Sequence, residues 1–147
     1  MLNNPAIISP RPMGDVNSVM RDLDISAERV RAMVEQGGLI GFNISAAKSV
    51  RANLRVLTKS VDYYRQTGGA KVLRLEWPEI FRLVLPHGKL FMRGTEVARG
   101  LNCDKGHVEN LILAGLLVSA KKSRPGPGGS PIVTRYSFEA FLKGRLQ

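Results

Sequence analysis

Apolar residues recur at helical spacing over Val16 to Leu23 and over Ala27 to Gln36, where Val30, Met33, Val34 and Gly37 share one side of a helical wheel. Ser26 has the short side-chain oxygen that caps a helix start, and Gly37-Gly38 stops the second helix. The pattern then predicts a strand over Leu39 to Ile44, a basic polar turn over Ser45 to Ala52 and a return strand over Asn53 to Leu57. Ser60 is expected to cap a closing helix that carries Val61 and Tyr64. The unit is two helices, a hairpin and a helix.

That pattern occurs twice. Displacing the chain by 78 positions lays Val19 on Val97, Leu23 on Leu101, Asp24 on Asn102, Val30 on Val108, Val34 on Ile112, Gly37 on Gly115 and Ile40 on Val118. A displacement of 77 then sets Ser60-Val61-Asp62 on Ser137-Phe138-Glu139. The second unit is predicted as helices over Thr95 to Leu101 and Lys105 to Ala114, the latter capped by Asp104 and stopped by Gly115. Strands over Leu116 to Lys122 and Pro131 to Arg135 flank a Gly/Pro turn, and Phe138, Phe141 and Leu142 face inward from the last helix. An extra helix starts at Trp77-Pro78, buries Ile80, Phe81, Val84 and Leu85, and ends at Pro86-His87-Gly88. The duplication divides the 147 residues into a flexible N-terminal tail (1–14), a first domain (15–67), a linker (68–75) and a second domain (76–147).

Charge adds a partner to this picture. Lys and Arg total 22 against 12 Asp and Glu, a net charge of +10 that favours a polyanion. Residues 43–59 hold Lys48, Arg51, Arg55 and Lys59 without an acid, and residues 110–138 hold Lys121, Lys122, Arg124 and Arg135 without an acid. Each window contains the hairpin of one unit, so the hairpins are the expected phosphate contacts. If all eight cations neutralised phosphates, the log-log salt slope of binding would be about −7, and half of that is expected. Outward on the first unit's second helix lie Glu28, Ala32 and Glu35, flanked by Arg29 and Arg31. The second unit offers Gly106, Asn110 and Leu113, flanked by His107 and Glu109.

The remaining inventory narrows the chemistry. Cys103, His87 and His107 do not make a metal-ligand cluster, and a Cys-His nucleophile lacks an orienting third group. Arg124-Pro-Gly-Pro-Gly-Gly-Ser130 lacks the Gly-Lys-Ser/Thr ending of a phosphate loop, and its prolines remove amide donors. Glu76 and Glu79 read as first-turn helix acids rather than metal-binding carboxylates. The expectation is a protein that is not an enzyme, with no cofactor and no metal. One cysteine, no apolar stretch of membrane-spanning length and no signal-peptide pattern in Met1 to Pro12 predict a soluble cytoplasmic chain with no membrane partner.

Met20-Arg-Asp-Leu-Asp-Ile-Ser-Ala-Glu-Arg-Val30, Glu35-Gln-Gly-Gly-Leu-Ile40, Leu54-Arg-Val-Leu-Thr58 and Ser60-Val-Asp-Tyr-Tyr64 carry a resemblance to the excisionase and MerR-type winged helix-turn-helix family of phages and mobile elements. Gly94-Thr-Glu-Val-Ala98, Leu101-Asn-Cys-Asp104, Ala114-Gly-Leu-Leu-Val118 and Tyr136-Ser-Phe-Glu-Ala-Phe141 carry it in the second unit. The long dimerising helix and effector domain of MerR-type regulators have no counterpart here. The resemblance implies an α+β, mainly α fold of two tandem winged helix-turn-helix domains that bind double-stranded DNA. Ala27, Glu28, Arg29, Arg31, Lys105, Gly106, His107 and Asn110 would be the recognition-helix residues, and Lys48, Arg51, Arg55, Lys121, Lys122 and Arg124 the wing contacts. A transcription regulator, a recombination directionality factor and the DNA-recognition subunit of a packaging terminase all fit. The corresponding protein partners are an integrase, RNA polymerase or a second copy of the chain. A protein-interaction module, using Leu113 or the helix with Trp77 and Phe81, is the reading from a different class.

Overall fold

Three residues before the first helix already belong to a sheet. In the computed structural model, which describes residues 11–47, 53–120 and 131–147, the first unit runs β1 (Met13–Asp15), α1 (Val16–Leu23), α2 (Ala27–Glu35), β2 (Gly41–Asn43), β3 (Leu54–Leu57) and α3 (Thr58–Thr67). The linking helix is α4 (Trp77–Val84). The second unit repeats the order as β4 (Phe91–Arg93), α5 (Gly94–Leu101), α6 (Lys105–Leu113), β5 (Ser119–Ala120), β6 (Ile132–Thr134) and α7 (Arg135–Lys143). The fold is α+β, with two small antiparallel three-stranded sheets ordered β1-β3-β2 and β4-β6-β5. Among the described residues no helix is long and apolar enough to cross a membrane.

The duplication reaches the level of single hydrogen bonds. Asp15 accepts the Ser18 amide at 2.9 Å, and Ser26 and Asp104 accept the amides of Arg29 and His107 at 3.1 and 2.8 Å, closing the starts of α2 and α6. The turns before those helices pass through left-handed residues at matching positions, Asp24 (φ 54°) and Asn102 (φ 53°). Beyond the helices, Gly37 and Gly115 take φ of 83° and 78°, a region that costs a glycine little. Leu39 and Leu117 then turn into the core. This inward turn shortens the two strands expected over 39–44 and 116–122 to Gly41–Asn43 and Ser119–Ala120, with residues 121 and 122 outside the described region.

Ser60 and Ser137 have a role that differs from a cap. Both lie inside helices that open at Thr58 and Arg135. The Ser60 hydroxyl donates to the Leu57 carbonyl at 2.7 Å and accepts the Ile40 amide at 3.1 Å. Ser137 likewise donates to Thr134 at 2.9 Å and accepts Val118 at 3.0 Å. Each serine ties the last helix to the entry of its hairpin. Met13, read from the sequence as tail, is fully buried in β1 opposite Leu57. A three-residue strand has no period to read, and its partner lies far along the chain.

Sheet β1-β3-β2 is covered on both faces. Its inner face contributes Leu54 and Val56 to a cluster with Val19, Val30, Met33, Val34, Leu39 and Val61. Its outer face, carrying Met13, Leu57 and Phe42, joins the second unit's core around Ile80, Phe81, Leu101, Leu111 and Phe138. Phe42 lies 6.1 Å from Trp77, which stacks on Phe81 at 5.6 Å. Residues 145–147 extend the sheet beyond β2: Asn43 N–H donates to Arg145 at 3.0 Å and Gln147 N–H to Gly41 at 2.9 Å. The guanidinium of Arg145 is buried against the Phe141 ring, 5.1 Å from its centroid. The two units therefore share one apolar cluster.

Candidate nucleic-acid interface

The site is built where the first hairpin reaches the start of α6. Asn43 and Leu54 close the described part of that hairpin in antiparallel register, and Ile44 beyond them is fully buried. The Ile44 carbonyl lies 2.6 Å from His107 Nε2. A carbonyl only accepts, so Nε2 carries the proton and the imidazole is fixed by the first unit. Arg55, on β3, sends Nε to the carbonyls of Leu101 and Asn102 at 3.1 and 3.0 Å and Nη1 to the Leu54 carbonyl at 3.2 Å. These contacts satisfy carbonyls at the end of α5, where a cation also complements the helix dipole. Arg55 and His107 are thus engaged within the chain and orient the hairpin against α6.

Asn53, Arg55, Cys103, Asp104, Gly106, His107 and Asn110 line the cleft between these elements. Gly106 and Asn110 stand exposed on its α6 wall, where His107 is half-buried, and Lys105 is exposed at the start of the same helix. On α2, Glu28, Arg29 and Arg31 are exposed and Ala27 is half-buried. Lys48, Arg51, Lys121, Lys122 and Arg124 lie outside the described residues. Arg135, counted with the second basic window, is drawn away to Glu139 at 2.9 Å and to the carbonyl of Pro86 at the same distance. The sequence pattern did not point to Asn53 or to the convergence of one unit's hairpin on the other unit's helix. That convergence depends on Arg55 and Ile44, whose partners lie 46 to 63 residues away.

Cys103 sits beside this cleft before the α6 cap. Burial pushes its thiol up to about 11, with Arg55 opposing that shift and Asp104 adding to it. At pH 8 only about one molecule in a thousand then holds a thiolate, against roughly a quarter in an unfolded chain. Iodoacetamide should accordingly alkylate the native protein on the order of a hundredfold more slowly than the denatured protein. Equal rates would show that Cys103 is not shielded. Among the described residues no group of three or more His, Cys, Asp and Glu side chains is placed to hold a metal ion.

No family model, curated protein or solved structure matches the chain.

Proposed function

We propose that the chain is a sequence-specific double-stranded DNA-binding protein built from two winged helix-turn-helix domains of the excisionase and MerR type. The observation that carries this reading is the exposed start of α6, with Lys105 exposed and Gly106 and Asn110 presented beside the first hairpin. It is supported by the matching exposed face of α2 with Arg29 and Arg31, and by the net charge of +10. A helix laid in the major groove reads bases with the outward residues of its first turns. Asn110 has the amide that pairs with adenine, and Arg29 and Arg31 have the fork that pairs with guanine. Lys105 supplies charge to a phosphate. Arg55 and His107 act indirectly, by setting α6 relative to the hairpin. Unlike outward residues on α2 and α6 imply unlike half-sites.

Selection from a random duplex library at physiological salt tests this reading. A two-part motif with one fixed spacing is the expected result. Asn110→Ala should cost about 1–3 kcal/mol and relax preference at a single base position. Lys105→Ala should weaken binding to all sequences alike and reduce the salt slope by about 0.9. Salt-sensitive binding without enrichment would remove base reading, and no binding at all would sink the proposal. The regulatory, recombination and packaging roles are then separated by where the motif falls. Leu113, 85% exposed on α6, favours protein interaction as the second reading; partner capture abolished by Leu113→Asp with DNA affinity unchanged would establish it.

A further inference from the structure

The repeats treat one equivalent surface in opposite ways. Strand register places Met13, Leu57 and Ile40 in one row of the outer face of sheet β1-β3-β2, with Asp15, Arg55 and Phe42 in the next. The second unit covers that face, and Arg55 anchors it to the α5–α6 turn. The corresponding face of sheet β4-β6-β5 carries Phe91, Thr134 and Val118, then Arg93, Ile132 and Ala120. Phe91 and Val118 are 57% and 56% exposed, and Leu90 and Tyr136 beside them are 71% and 87% exposed. The edge of β2 takes residues 145–147, whereas the edge of β5 has no strand beside it among the described residues.

We propose that this face docks on the α1–α2 turn of a second copy of the chain, repeating between molecules the contact that the first sheet makes within one. The seat is the same kind of turn: Asp24 occupies the left-handed position of Asn102, whose carbonyl accepts from Arg55. Its charge matches the new face. Where the second unit has Gly100 and Asn102, the first has Asp22 and Asp24, both exposed and without an ion-pair partner among the described residues. The face has Ile132 in place of Arg55, but exposed Arg93 lies in the same row one strand away, roughly 4.8 Å across the sheet. Glu96 nearby is already taken by Lys89 at 2.8 Å; that bond, the Arg93 amide and both cations hold its carboxyl below the ordinary range. Face and seat are different surfaces, so each added chain leaves one of each free and assembly grows past a dimer. The first unit has no counterpart of α4 among its described residues, so the contact is smaller than the internal one and concentration-dependent.

Sedimentation of the full chain without nucleic acid, over rising concentration, tests the proposal independently of DNA binding. The wild-type mass should climb beyond that of a dimer. Phe91→Asp should sediment as a single chain, as should Val118→Asp at a second point on the same face. Asp22→Lys with Asp24→Asn should also sediment as a single chain. Mixed with Phe91→Asp, this seat variant should give a dimer and nothing larger, because one partner retains the seat and the other the face. That mixed dimer would also show both variants folded. A wild-type chain that stays single at every concentration overturns the proposal. So does a mixture that fails to pair, or a dimer that persists in the seat variant, which would mean two faces meeting about a two-fold axis.

Discussion

Replacing Phe42 with alanine is expected to cost about 3–5 kcal/mol of stability and to loosen the two units together. The residue is fully buried although it belongs to the first unit's hairpin, because its ring enters the cluster formed mainly by the second. Truncation removes apolar surface and leaves a void beside Trp77, 6.1 Å away, in a region closed by the strand pairing of Phe42 with Leu146. The surroundings belong to several elements and cannot collapse onto the gap without moving a sheet, which puts the cost at the upper end for such changes. Trp77 is the sole tryptophan, so its emission reports this junction while far-UV circular dichroism reports helices throughout. Denaturant curves from the two signals should coincide in the wild type and shift together in the variant. A loss under about 1 kcal/mol would mean the shared cluster contributes little to holding the units.

The second large effect reverses an ordinary rule. Gly→Ala inside a helix usually stabilises by roughly 1 kcal/mol, since alanine has the lower backbone entropy to lose. Gly100 lies buried in α5 where α4 ends, and a Cβ there would collide with the Val84 carbonyl oxygen and press on its side chain at 3.1 Å. Backbone cannot swing aside as a side chain can. Gly100→Ala should therefore destabilise by about 1–3 kcal/mol, as overpacked cores do. Gly106 on α6 is the matched control. It is exposed, and an added Cβ would meet only Asp104 Oδ1 at 3.4 Å, so Gly106→Ala should be neutral or stabilising in thermal melts. Equal and favourable shifts in both variants would contradict the α4–α5 packing.

Local features were legible in the chain alone, and contacts between distant residues were not. The helix pairs, their caps at Ser26 and Asp104 and their glycine stops were legible because each is a local rule acting over a few residues. The stripe Ile80, Phe81, Val84 and Leu85 was legible for the same reason, and all four are buried. The register of β1 and β4 was not, since three residues carry no periodicity and bond only to strands about 40 residues away. Ser60 and Ser137 have cap chemistry, and only the fold shows that their hydroxyls hold hairpin amides instead. At the candidate site, Gly106 and Asn110 were legible by wheel position, and Lys105 followed from the resemblance. Arg55 read as a free cation because nothing nearby in sequence announced the Leu101 and Asn102 carbonyls that take it.

The pairing of residues 145–147 with β2 also sets an order of events during synthesis. Arg145 and Asn43 stand 102 positions apart. On the ribosome the first unit emerges with its outer face and the β2 edge bare, presenting Met13, Leu57 and Phe42 to whatever is near. The face can be covered only once α4 and the second unit follow, and the β2 edge only once residues 145–147 leave the exit tunnel. Closing so long a loop is slow, and until it closes the bare β2 edge is a template on which another strand can pair.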